Sequence, residues 1–224
     1  MKSNEHQKKN TAPQRGFSLI ELMASLAILT IVVGVLTDGI MQIQKKSASD
    51  VNKVGVAQES RQFMDQILRD TRQTGYPSLF MFDPTTLTSA VDCTLDSNVA
   101  CGIRNFSSSA IQFEGDIDGS GVSEVYIQSL APGGNCPCTV QRGTVLKSVG
   151  GTPAYYTELD NVMNQNIFTA YKYDGSAWVS GTDDRLLIKN IGVTLYVRSP
   201  TPEAGQSSET YPTTTMVSSV RINN

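Results

Sequence analysis

Phe17-Ser18-Leu19-Ile20-Glu21-Leu22-Met23-Ala24-Ser25-Leu26-Ala27-Ile28-Leu29-Thr30-Ile31-Val32-Val33-Gly34-Val35-Leu36 is a run of twenty residues with one charge, Glu21. As a helix it spans about 30 Å, the thickness of a bilayer core. Asp38, Lys45 and Lys46 mark its polar end. Ahead of it, Lys2, Lys8, Lys9 and Arg15 stand against Glu5. That basic excess assigns residues 1–16 to the cytoplasm and the bulk of the chain to the opposite side. A secretory signal places its apolar region before the cleavage site. The leader MKSNEHQKKNTAPQRG has no apolar region, and a cut near Ala24 or Ala27 would discard half the anchor.

Helical patterning continues beyond the apolar run. Val51, Val54, Met64, Ile67, Leu68 and Thr71 recur at spacings near 3, 4 and 7, as one helix face does. Lys53, Glu59, Arg61, Asp65, Arg69, Asp70 and Arg72 occupy the remainder. Gly75 followed by Tyr76-Pro77 is a stop signal. The pattern predicts one helix from about Phe17 to Thr74, with 17–44 suited to a membrane or filament core and 45–74 to the surface of a globular domain. Gly34, Gly39 and Gly55 interrupt it, each costing about 1 kcal/mol against Ala.

Charge follows the same partition. Residues 1–16 carry +3, 17–74 carry 0 and 75–224 carry −6, within a chain of 224 residues and net charge −3. The acidic 75–224 domain is a poor surface for nucleic acid. The chain's only histidine is His6, inside the leader. Removal of the leader removes every imidazole, and with it Ser-His-Asp triads, Cys-His dyads and His-ligated zinc. Serines abound without a base to activate them, and Asp183-Asp184 are neighbours in a turn, weak ground for glycoside chemistry.

The junction Arg15-Gly16-Phe17-Ser18-Leu19-Ile20-Glu21-Leu22 resembles the processing site of type IV prepilins. In that family a hydrophilic leader ends in Gly, and Phe and an apolar helix come next, with Glu four positions after the Phe. The resemblance implies that prepilin peptidase cuts between Gly16 and Phe17 and methylates the new amine of Phe17. It gives Glu21 a role as well. A carboxylate in a membrane helix costs at least about 2.5 kcal/mol and calls for a partner. The Phe17 amine, in the same chain or in a neighbouring subunit, would supply one. Many pilins have a helix-breaking proline near Asp38; this chain has none.

After Gly75 the texture turns to Gly, Ser, Thr and short β-rich runs. The expected strands are Ala110–Phe113, Glu124–Leu130, Thr139–Ser148, Ile167–Tyr173, Leu186–Arg198 and Thr214–Ile222. Asp174-Gly175 reads as a hairpin turn, and Ser199–Thr213 as an exposed loop. The expected fold is α+β: an antiparallel sheet, residues 75–224, against the second half of one long helix. Trp178 and the tyrosines at 155, 156, 171, 173 and 196 read as core. The succession Arg69-Asp70-x-Arg72-x-x-Gly75-Tyr76, Phe113-x-x-Asp116-x-Asp118-Gly119-x-Gly121, Ile167-Phe168-x-Ala170-Tyr171 and Ile188-x-Asn190-Ile191-x-Val193-x-Leu195 resembles PilW-type minor pilins. It is less similar to the J-type minor pseudopilin of type II secretion.

Cys93, Cys101, Cys136 and Cys138 all fall on the extracytoplasmic side of this topology, where an even count favours disulfides. Cys93–Cys101 would close a short loop. Cys136-Pro137-Cys138 would form a tight, strained ring, so bonds between the two groups are the alternative. The spacings suit neither a four-cysteine zinc site nor a C-x-x-C redox centre. Asp116, Asp118, Ser120 and Glu124, with Gly119 and Gly121 between, resemble the start of a calcium loop, although Ile127 stands where an EF-hand has its bidentate Glu. The other reading is an acidic hairpin turn.

Together these readings describe a non-enzymatic minor pilin that initiates or caps type IV pilus assembly. Its implied partners are prepilin peptidase, other pilin or pseudopilin subunits, the inner-membrane assembly platform and the membrane itself. Calcium is the one candidate cofactor. The alternatives are a type II secretion pseudopilin and a membrane-anchored extracytoplasmic binding protein that never polymerises.

Overall fold

A computed structural model describes residues 16–78, 81, 97–202 and 210–222. Helix α1 runs Leu19–Arg72, two residues shorter at each end than the pattern predicts. The chain divides into two compact units, Met1–Lys45 and Lys46–Asn224, and α1 contributes to both.

In the first unit every described residue is exposed. Its apolar window has a mean hydropathy of 2.5 and buries nothing. Ser25 Oγ donates to the Leu22 carbonyl and Thr30 Oγ1 to the Ala27 carbonyl. Thr37 Oγ1 likewise donates to Val33 O. Each hydroxyl is spent on the helix's own backbone, which lets it sit in hydrocarbon without an orphaned donor.

The second unit begins with the remainder of α1. Its buried face is Ser49, Ser60, Phe63, Met64, Ile67, Asp70 and Thr71. Val51 and Val54, expected on that face, are 66% and 56% exposed. The true face runs through buried Ser49 and half-buried Val56, out of phase with them. Beyond Arg72 two turn bonds, Gln73 N–H to Asp70 O and Thr74 N–H to Thr71 O, tighten the end. Gly75 then takes a φ of 76°, the left-handed cap its lack of Cβ permits, and its N–H donates to the Glu114 carbonyl at 2.9 Å.

Eight strands complete the unit: β1 Ile103–Phe106, β2 Ala110–Gly115, β3 Ser123–Leu130, β4 Cys138–Leu146, β5 Ala154–Val162, β6 Phe168–Tyr171, β7 Asn190–Arg198 and β8 Thr213–Arg221. They form one antiparallel sheet, a meander from β1 to β5. β7 then pairs β8 along its full length, β6 over Asn190–Val193, and β5 at the register pair Val162↔Val197. Period-2 alternation sends Val125 and Ile127 inward from β3, and Ile191, Val193, Leu195 and Val197 from β7. With Phe113, Val140 and Leu159 they form a core with Phe63, Met64 and Ile67 of the helix. The α+β architecture expected from the sequence is the one observed.

Gly115 marks where sheet and helix end meet most tightly. A Cβ there would lie 2.5 Å from the Gln73 carbonyl oxygen.

The differences from expectation have local causes. β1 has only four residues, two of them polar, and β5 leaves its first four residues exposed, so neither carries an apolar alternation. The strand expected from Leu186 begins only at Asn190, because Arg185–Leu187 form a 3-10 turn whose Leu186 N–H the Asp184 carboxylate accepts. The Asp174-Gly175 turn is present: Asp174 accepts the Ser176 N–H, and Tyr171 pairs with Ala177 across it. The Ser199–Thr213 loop falls partly outside the described residues. Tyr155, Tyr156, Tyr171, Tyr173 and Tyr196 are exposed, not core, because they occupy outward strand positions or the turn; Trp178 is half-buried against Phe106.

Candidate processing and assembly segment

Gly16, Phe17 and Ser18 lead into α1 without regular structure. The Leu22 N–H donates to Ser18 O at 3.2 Å, so Ser18 is the N-cap and Glu21 the third helical residue. Glu21 Oε2 accepts the Ser18 N–H at 3.1 Å. This is the carboxylate half of a capping box. It satisfies a donor the helix start would otherwise leave open, and it places negative charge at the positive end of the helix dipole. The carboxylate therefore folds back toward the N-terminus, beside the peptide bond joining Phe17 to Ser18. Phe17 is 88% exposed. A Cβ added to Gly16 would meet nothing within 4 Å, so the chain's own packing does not demand glycine there. The same is true of Gly34, Gly39 and Gly55.

The acidic stretch is a turn held by its own side chains. Asp116 Oδ1 accepts from the Gly119 and Gly121 N–H groups at 2.8 and 3.4 Å. Asp118 Oδ1 accepts from Ser120, through N–H at 3.0 Å and Oγ at 2.6 Å. Those two bonds hold the Asp118 carboxyl below its usual range. Glu124 lies on β3, where its carboxylate accepts the Tyr126 hydroxyl and the Gln112 amide. Burial, with that bond, pushes the Tyr126 phenol up to about 12. Asp116 and Asp118 are thus engaged within the turn itself, while Glu124 is engaged by its neighbours on the sheet. Among the described residues no three His, Cys, Asp or Glu side chains gather closely enough to share an ion.

Cys136 and Cys138 are bonded to each other across Pro137, with Cα atoms 4.4 Å apart. In the structure neither of them bonds to the earlier cysteines. Cys101 is disulfide-bonded too, and Cys93 lies outside the described residues.

Two buried charge clusters leave no mark in the sequence pattern. Asp70, assigned there to the solvent face, is buried, and its Oδ2 receives both Nε and a terminal nitrogen of Arg142 at 2.8 Å. Glu114 is fully buried on the face of β2 opposite Phe113. Lys147 Nζ lies 2.9 Å from its Oε2, Cys101 N–H donates to the same oxygen at 2.8 Å, and Arg104 Nε lies 3.2 Å from Oε1. Lys147 also donates to the Val99 carbonyl at 2.7 Å. The cluster pins the segment 99–101 to the sheet and makes it structural. A partner distant in sequence leaves no local signal for either acid.

A family model described as the prokaryotic N-terminal methylation motif matches residues 11–37. No curated protein and no solved structure matches the chain. The motif indicates a type IV pilin-like or pseudopilin-like protein, processed by prepilin peptidase and assembling with pilin-type partners. The exposed apolar helix fits a single-pass membrane anchor.

Proposed function

We propose that the chain is a minor pilin: a non-enzymatic subunit held in the bacterial inner membrane, which starts or caps a type IV pilus after its leader is removed. The observation that carries this reading is the helix from Leu19 onward. It is apolar, exposed along the whole first unit, and bears one acid in its first turn. About 25 cal/mol per Å² of apolar surface draws such a stripe out of water, into lipid before assembly and into a bundle of like helices after it. Prepilin peptidase cuts between Gly16 and Phe17 and methylates the Phe17 amine. The backward fold of Glu21 supports a pairing role: the carboxylate already points toward the place where that amine would be released. In a fibre it would meet the corresponding amine of a neighbour. The globular domain then lies outside the cytoplasm.

Intact-mass analysis of the membrane-extracted protein tests the first step. The expected mature chain starts at N-methyl-Phe17. Met1 retained in cells with active prepilin peptidase would overturn the reading. Gly16→Ala should block the cut with no loss of fold, because nothing in the chain contacts that position. Co-fractionation with sheared pili separates a filament subunit from an anchored binding protein. Loss of twitching, as against loss of exoprotein secretion, separates pilus from secretion pseudopilus.

A further inference from the structure

Two adjoining hollows of about 350 and 510 Å³ lie on either side of Trp178, between the end of β1 and the segment 177–185 beyond β6. Both are bounded by Phe106, Trp178 and Ser180. Phe106 meets Trp178 edge-on, with ring centroids 5.5 Å apart. The indole N–H donates to the Asp184 carbonyl at 3.0 Å, so the rest of the ring offers only apolar and π surface. Tyr171, 38% exposed, adds a second aromatic wall to one hollow. The other is rimmed by polar groups: Asn105, Thr182, Asp184 and Arg185. Asp183, also on that rim, is held by Lys172 at 3.3 Å and by the Val179 N–H at 2.9 Å, so its charge is compensated within the protein.

We propose that this cleft binds a neutral oligosaccharide, one sugar ring laid on Trp178 beside Tyr171 in the first hollow and the next ring's hydroxyls met by Asn105, Asp184 and Arg185 in the second. A pyranose has one face of C–H bonds and an edge of hydroxyls, which matches an aromatic wall beside a rim of donors and acceptors. Aromatic rings with a few placed polar groups, in a cleft of several hundred Å³, are the usual makings of a small-molecule site. The compensated Asp183 disfavours a strongly charged ligand. The inference rests on the globular unit alone and stands or falls separately from the assembly role.

Trp178 is the only tryptophan in the chain, so its emission reports this cleft alone. The full chain is purified in a detergent without a sugar headgroup, such as lauryldimethylamine oxide. It is titrated with chitotriose, cellotriose and maltotriose, by fluorescence and by calorimetry. A saturable change in Trp178 emission with at least one trisaccharide, matched by heat, is the expected result. Tyr171→Ala should abolish it. Asp184→Asn keeps a side chain able to cap the 3-10 turn but removes the charge-assisted part of a hydrogen bond, and should weaken binding about fivefold to tenfold. Asp160→Ala, away from the cleft, should change nothing. Absence of saturable binding to all three sugars, or binding undiminished in both Tyr171→Ala and Asp184→Asn with melting temperatures unchanged, would overturn the proposal.

Discussion

Replacing Arg142 by methionine isolates the buried acid at the end of α1. Asp70 is 5% exposed at its side chain and Arg142 18%. Burial is the larger influence on Asp70 and raises its carboxyl above 3.8, while the Arg142 charge and hydrogen bond, and more weakly the Arg69 charge, pull it back down. In Arg142→Met the bonds to Oδ2 disappear and burial acts with little opposition. Removing one partner of a buried pair costs about 3–5 kcal/mol. The carboxylate has an escape, which is to take up a proton. Holding it protonated costs about 1.4 kcal/mol per pH unit above 3.8, which caps the acid's penalty near 4 kcal/mol at pH 7 and near 2 kcal/mol at pH 5. The sign comes from linkage: an acid whose folded value is raised binds protons more tightly when folded, so stability falls as pH rises from 3.8 through the folded value. Urea unfolding of the detergent-solubilised chain, monitored by Trp178 emission at pH 5 and pH 7, measures it. The expected loss for Arg142→Met is about 3–4 kcal/mol at pH 7 and clearly less at pH 5. Asp70→Asn added to Arg142→Met should recover much of the loss and flatten the pH dependence. A loss below about 1 kcal/mol at pH 7, or one equal at both pH values, would refute the account of a desolvated carboxylate.

Three further outcomes are expected. Gly115→Ala drives a Cβ to 2.5 Å from the Gln73 carbonyl oxygen and should cost about 1–3 kcal/mol, read as a fall of roughly 2–4 °C in melting temperature per kcal/mol. Glu21→Val should leave membrane insertion intact, since it removes an intramembrane charge, while incorporation into sheared filaments falls; normal incorporation would refute the pairing role. Millimolar Ca²⁺ against chelator should leave the melting temperature unchanged, because Glu124 is committed to Tyr126 and Gln112; a rise that Asp118→Ala abolishes would reinstate the loop as a calcium site.

Short-range patterns are legible in the chain and long-range partnerships are not. The apolar run, its single acid and the Gly75 stop are each written within a few consecutive residues, so the ends of helix α1 can be read to within two residues. Strands with clear alternation, such as Ser123–Leu130, are legible for the same reason. β1 and β5 escape because four residues, or a run mostly facing water, carry no period to detect. The misplacement of Val51 and Val54 has a related cause. Chain patterning shows that a helix has a preferred face, while the sheet that α1 packs against selects which residues make it.

The sequence by itself determined the junction at Gly16-Phe17, the membrane-length helix with Glu21 in its first turn, and the β-rich character of residues 75–224. These depend on composition and on periods of a few residues, which local physics reads directly. Tertiary structure alone decided the destinations of the remaining polar groups. Asp70 lies seventy-two residues from the Arg142 that neutralises it, and Glu114 thirty-three from Lys147. Cys136 and Cys138 became each other's partner. A charge or thiol finds its partner through the register of strands and the seating of a helix. That geometry exists only once the apolar core, with Phe63, Ile67, Phe113 and Val125 at its centre, has closed.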